Sequence, residues 1–173
     1  MIFRNAAGSL SSFMAALLIS SCISAAPSAN SVPATLTGDW KVTSAKVNST
    51  GIAAYAPDDP ALMALRLAVS ADRLAMDKAG DGDRHVCESP RVASETLAFA
   101  TLISQTYEAS PADMGVDAAG KDRPAHFITC AKGDIGPSYD RGSWIVEMDS
   151  DTIAMNWFDS VLLVLKRVGP AGA

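Results

Sequence analysis

The carboxyl-terminal stretch SWIVEMDSDTIAMNWFDSVLLVLKR, residues 143–167, contains three apolar runs separated by two acidic turns. The first turn is Asp149-Ser150-Asp151 and the second is Asp159-Ser160. Turns of two or three residues are too short for a crossover connection, so the strands that they join must be antiparallel neighbours. The stretch therefore predicts a three-stranded antiparallel meander in a mainly β fold.

Alternating apolar and polar residues upstream of the meander predict four more strands. LTGDWKVTSAKV, residues 36–47, is typical of a first strand with one buried face. LRLAVSADRLAMDK, residues 65–78, divides into two strands about a turn at 70–72, and AHFITCA, residues 125–131, is a further strand. These segments place most of the ordered chain in one β domain.

Two segments favour helix. Asp58 or Asp59 is the expected N-cap of a single helical turn, because Pro60 suits the first helical position. Residues 92–107 carry apolar side chains at helical spacing, and Ser94 is the expected cap there. An extended conformation of this second segment remains open.

Composition limits the classes of partner. Of 173 residues, 49% are hydrophobic, so one domain can bury a full core. The 19 acidic residues exceed the 14 basic ones, and no basic run occurs. Nucleic-acid binding and docking on anionic lipid both need basic patches, so neither is expected.

The amino terminus resembles a bacterial export signal. A short apolar run ends at ISSC, residues 19–22, which is similar to a lipobox and implies lipidation of Cys22. The expected location is the periplasm, where a lipid would anchor the protein in the outer membrane. The alternative is a soluble secreted protein. The expected organisation is a signal peptide at 1–21, a lipid-anchored flexible tether at 22–37, the β domain at 38–168 and a disordered tail at 169–173.

The two remaining cysteines, Cys87 and Cys130, suit a disulfide, because an exported protein meets an oxidising compartment. His85 and His126 each stand an even number of residues before one of them, so His and Cys would share a strand face. A Cys₂His₂ zinc site is therefore a second hypothesis, which the oxidising compartment disfavours.

DKAGDGDRHVCE, residues 77–88, matches an EF-hand calcium loop at four positions: Asp77, Asp81 and Glu88 stand at the first, fifth and twelfth, and Gly82 at the sixth. Ala79 stands at the third position and Arg84 at the eighth, where a ligand and a large aliphatic are needed. The flanking sequence also alternates like a strand. We therefore interpret the segment as an acidic hairpin tip, and we expect no metal.

The first strand of the domain carries Gly38-Asp39-Trp40, and the last strand ends in Lys166 and Arg167. These residues at the two ends of the domain resemble the lipocalin or calycin superfamily, and META-type bacterial domains are a comparable match. The resemblance implies an antiparallel calycin-like barrel of seven or eight strands with one amphipathic helix. It also implies that Arg167 packs on Trp40 to close the barrel, or Lys166 if the register differs.

Two functions follow as hypotheses. The calycin resemblance implies a small apolar ligand inside the barrel, lined by Trp40, Met76, Met155 and Trp157. The alternative is a protein-interaction factor, such as an inhibitor of lysozyme or another envelope hydrolase, or an envelope assembly partner. It would act through the loop 132–142 with Tyr139, Asp140 and Arg141, because an aromatic flanked by charges is typical of recognition loops.

Catalytic motifs are missing from the sequence. No G-x-S-x-G elbow, H-E-x-x-H helix or phosphate-binding glycine loop occurs. The expectation is a non-catalytic, monomeric protein without a cofactor.

Overall fold

One antiparallel sheet, curled strongly into a half-barrel, organises the molecule. The computed structural model describes residues 31–78, 83–117, 121–138 and 141–169. In that part of the chain the sheet has ten strands, in the order β5-β6-β8-β9-β10-β1-β2-β3-β4-β7. The strands are β1 Gly38–Lys46, β2 Leu65–Val69, β3 Arg73–Lys78, β4 Asp83–Glu88, β5 Arg91–Ala98, β6 Asp122–Thr129, β7 Lys132–Gly133, β8 Ser143–Asp149, β9 Thr152–Trp157 and β10 Val161–Arg167. The helical pieces are a 3₁₀ turn Ala34–Leu36, α1 Pro60–Met63 and α2 Phe99–Tyr107.

The predicted meander is confirmed as β8, β9 and β10, which pair in sequence order. The second turn is tight: Val161 N donates to Phe158 O at 3.3 Å, and Asp159 and Ser160 both have a φ of 57°. Two successive positive φ angles are typical of the type I′ turn, whose twist matches that of the strands it joins.

The strands of the meander are buried on both faces, which explains their nearly continuous apolar sequence. Ile145, Met155 and Leu163 belong to the main hydrophobic cluster, which draws residues from both ends of the sheet and therefore fills the inside of the curl. Trp144, Leu162 and the helix α2 belong to a second cluster on the outer face. Helix α2 thus covers the convex side of the sheet. On the concave side, the side chains of the strands pack mainly against one another.

The first and last strands are neighbours, and Trp40 of β1 pairs directly with Arg167 of β10. The Arg167 guanidinium carbon lies 4.0 Å from the centroid of the Trp40 ring. This register turns Lys166 outward opposite Lys41, so Arg167 and not Lys166 makes the contact. A Cβ on Gly38 would lie 2.8 Å from Arg167 Nη1, so the glycine leaves room for the guanidinium.

The 3₁₀ turn closes the same end of the half-barrel. Trp40 Nε1 donates to Leu36 O at 2.9 Å, and Leu36 is itself 1% exposed. Arg167 donates from Nη2 to Thr35 O at 2.7 Å and from Nη1 to Thr37 O at 2.8 Å. Val32 also belongs to the main cluster, so the packed part of the chain starts before Gly38.

Two short connections bring the two ends of the sheet together at one corner. The chain passes from β4 to β5 through Ser89-Pro90 and from β6 to β7 through Cys130-Ala131, although these strands stand at opposite ends of the sheet. Ala131 N donates to Glu88 O at 3.1 Å. Cys87 and Cys130 form a disulfide with their Cα atoms 5.1 Å apart, as predicted.

The strand count corrects the expected barrel of seven or eight strands. The additional strands are β5 and the two-residue β7, and together with the others they form a half-barrel. β5 replaces the first half of the helix expected over 92–107, because its eight residues pair in register with β6. Helix α2 forms only from Phe99 onward, and its N-cap Ala98 makes no side-chain hydrogen bond.

The short helix α1 has the predicted cap. Asp59 accepts from Ala61 N at 2.8 Å and Pro60 occupies the first helical position. The preceding Asp58 has a φ of 53° and ties this loop to β1, since its Oδ1 accepts from Ala45 N and Ser44 Oγ. These hydrogen bonds, that from Ala45 N first, hold the pKa of Asp58 below its usual value.

Candidate functional site

The four residues expected to line a ligand cavity lie inside the core. Met76 is 0% exposed, Trp40 and Met155 are 1% exposed, and Trp157 is 5% exposed. All four belong to the main hydrophobic cluster with neighbours from most of the strands. Side chains enclosed to this degree touch other side chains and act as core.

The described residues of the segment 132–142 line one side of an open cavity of about 290 Å³. Of the three partner-binding residues expected there, Arg141 lines the cavity, whereas Tyr139 and Asp140 lie outside the described residues. The remaining wall includes Phe127, Cys130, Asp134 and Ser143. The cavity is thus built from polar and apolar groups beside the disulfide.

Glycines let this segment pass close to its neighbours. A Cβ on Gly133 would lie 1.9 Å from Val86 O, and the φ of Gly133 is 77°. A Cβ on Gly136 would lie 2.9 Å from Asn156 O. Both contacts are with backbone, which cannot move aside as a flexible side chain can, so the path of the segment requires glycine at these positions.

Contacts from two sides fix Arg141 at the edge of the cavity. Its Nη2 donates to Glu95 Oε1 at 3.1 Å, and its guanidinium carbon lies 4.8 Å from the centroid of the Phe127 ring. The side chain is 36% exposed. A guanidinium has five N–H donors, so one bond to Glu95 leaves donors available to a partner.

The two histidines lie in different environments. His85 shares a hydrogen bond of 2.6 Å with Asp134 and packs against Trp157 and Phe158, with ring centroids 5.1 Å and 4.6 Å away. His126 bonds instead to Ser94 and Glu147. The disulfide occupies both sulfurs of the alternative zinc set, and within the described residues no group of three or more His, Cys, Asp and Glu side chains could hold a metal ion.

The acidic segment 77–88 joins two strands. Asp77 belongs to β3 and Glu88 to β4, which pair antiparallel, whereas an EF-hand loop is flanked by helices. The tip at 79–82 lies outside the described residues.

A second cavity, of about 270 Å³, lies where β1, β2 and β3 run side by side. Asp39, Arg66 and Asp77 contribute charged groups to its wall beside Trp40 and Leu67. The rest of the wall is apolar and comes from Ala68, Ala75 and Val168.

None of the helices in the described residues is long and apolar enough to cross a bilayer.

A polar cluster that the sequence analysis missed lies on the inner face near the β5 edge. His126 pairs with Ser94 across β5 and β6, and Glu147 follows on β8. The three residues are far apart in sequence and belong to no motif, so only the strand register brings them together. The amino-terminal segment reaches the same cluster, because Thr35 Oγ1 donates to Glu147 Oε1 at 2.6 Å.

No protein-family model, curated protein or solved structure matches the chain.

Proposed function

We propose that the protein is an exported lipoprotein, anchored through Cys22 at the periplasmic side of the outer membrane, that binds another envelope protein. A calycin-like sheet serves as its rigid scaffold, and the cavity bounded by segment 132–142 is its binding site. The partner is an envelope hydrolase, such as a lysozyme, or an assembly partner.

A protein partner is favoured over an apolar ligand because the inside of the sheet is filled with side chains, whereas a cavity is open at its edge. The residues that would hold an apolar ligand are at most 5% exposed. An apolar ligand there would have to displace well-packed side chains, and interiors at native density hold few voids of that size. The cavity beside Arg141 is open and needs no such displacement.

Arg141 is the expected anchor. Arginine is enriched among the residues that dominate binding energy at protein interfaces. The Glu95 bond and the Phe127 contact already restrict its rotamers, so less side-chain entropy is lost on binding. A carboxylate on the partner is the group that best matches the remaining guanidinium donors.

Replacing Arg141 by alanine is expected to weaken partner binding at least tenfold, a loss of about 1.4 kcal/mol or more, as for an interface anchor. The measurement is quantitative capture from envelope extract by immobilised protein, followed by titration with the captured partner. Arg66→Ala is the matched control, because Arg66 lines the other cavity.

Equal capture by the Arg141 and Arg66 variants would contradict the proposal. Loss of binding in both variants would contradict it as well, since that result would mean that the cavity at Arg141 has no special role. Thermal unfolding of each variant shows whether both remain folded.

A further inference from the structure

Ser94, His126 and Glu147 form a continuous chain of hydrogen bonds across three neighbouring strands. Ser94 Oγ lies 2.8 Å from His126 Nδ1, and His126 Nε2 lies 2.8 Å from Glu147 Oε1. His126 is 4% exposed, Glu147 has 22% of its side chain exposed, and Ser94 is exposed. The serine is thus the solvent-facing end of a buried chain.

The partners determine where the protons lie in this chain. An ionised carboxylate is only an acceptor of hydrogen bonds. His126 Nε2 must therefore carry a proton, and this N–H donates a hydrogen bond to Glu147 Oε1. In the neutral ring, Nδ1 then has a free lone pair and accepts from the Ser94 hydroxyl. This is the order of donors in a serine–histidine–carboxylate triad, with the ring turned so that Nδ1 and not Nε2 faces the serine.

The β-sheet fixes this geometry. Ser94 and His126 are direct cross-strand partners on β5 and β6, and Glu147 lies two residues beyond Ile145, which is the partner of His126 on β8. Strand register holds such pairs more precisely than a loop can. Thr35 Oγ1 donates to Glu147 Oε1, which keeps the carboxylate turned toward the ring.

We propose that Ser94 is a nucleophile, activated by His126, that accepts acyl groups from carboxylic esters. The Ser94 oxygen attacks the ester carbonyl carbon while His126 Nδ1 takes the hydroxyl proton, and Glu147 stabilises the imidazolium. His126 returns the proton to the departing alkoxide as the carbon–oxygen bond breaks. Water then attacks the acyl-serine with His126 as base, which releases the carboxylic acid and restores the hydroxyl.

This proposal is independent of partner binding at Arg141, because the Arg141 side chain bonds Glu95, which lies on the other face of β5 from Ser94. Failure of one proposal therefore leaves the other standing. It also goes beyond the expectation of a non-catalytic protein, which rested on the lack of sequence motifs.

A fluorophosphonate probe tests the nucleophile directly. Attack by Ser94 forms a phosphorus–oxygen bond and expels fluoride, so intact-protein mass spectrometry should show one adduct, which peptide mapping places on Ser94. His126→Gln should lower the rate of labelling by about 100-fold or more, as expected for loss of a general base. Hydrolysis of p-nitrophenyl acetate should fall in parallel.

Ser94→Ala is the decisive variant, because Ser94 is the exposed end of the chain and lies outside the hydrophobic core; thermal unfolding checks that the variant remains folded. It should abolish both the adduct and the esterase activity. Ser44→Ala is the matched control: Ser44 is also a strand serine, but it bonds the Asp58 carboxylate, and its loss should change neither signal. No adduct on the wild-type protein, or an adduct that survives in Ser94→Ala, would overturn the proposal.

Discussion

We expect Trp40→Ala to lower the free energy of unfolding by about 3–5 kcal/mol, the range for deleting a buried tryptophan side chain. Trp40 is 1% exposed, and its loss leaves a cavity between β1 and the 3₁₀ turn. The substitution also removes the hydrogen bond to Leu36 O and the ring surface under Arg167. Equilibrium urea denaturation, followed by far-ultraviolet circular dichroism, measures the change.

Two further variants separate the contributions at this site. Trp40→Phe keeps an aromatic ring but loses the N–H donor, so it should cost clearly less than alanine. Lys166→Ala, on the neighbouring outward-facing position, should change stability by less than about 0.5 kcal/mol. A cost below about 1 kcal/mol for Trp40→Ala would show that this end of the half-barrel does not depend on the indole.

Removal of the disulfide is the second large effect. The double variant Cys87→Ala, Cys130→Ala should lose about 3–4 kcal/mol of stability, since the bridge closes a sequence separation of 43 residues in the unfolded chain. In the folded protein the bridge also joins the corner at which the two ends of the sheet meet. The urea midpoint of the wild type with and without dithiothreitol gives a second measure of the same quantity.

The control for this experiment is internal. Dithiothreitol should lower the midpoint of the wild type toward that of the double variant and should leave the double variant unchanged. Two titratable thiols in unfolded wild-type protein, prepared without reductant, would contradict the bridge.

Local patterns predicted the meander, the strands β1 to β3 and the cap of α1 because each depends on neighbours in sequence. Asp59 caps the residues that follow it, and the short turns of residues 149–151 and 159–160 leave no other arrangement of β8 to β10. The disulfide was predicted from the compartment and not from geometry. These features required no knowledge of the whole sheet.

Strand pairing between residues that are far apart in sequence explains the features that local patterns did not predict. Apolar spacing over 92–107 is compatible with a helix, yet pairing with β6 makes residues 91–98 a strand. The Ser94–His126 bond spans 32 residues and the Arg141–Glu95 bond spans 46, so neither leaves a local signal. The half-barrel likewise follows from the positions of β4, β5 and β7 in the sheet, which no single segment encodes.

The main hydrophobic cluster fills the inside of the curled sheet, and for that reason the proposed binding site is at the edge of the sheet. Native mass spectrometry of the protein, purified from the cells that produce it under gentle conditions, tests this most directly. The expected result is a mass accounted for by the covalent chain with its one disulfide, with no further molecule released on collisional activation. Stoichiometric release of a small apolar molecule, together with displacement of that molecule by a fluorescent lipid probe, would contradict the claim.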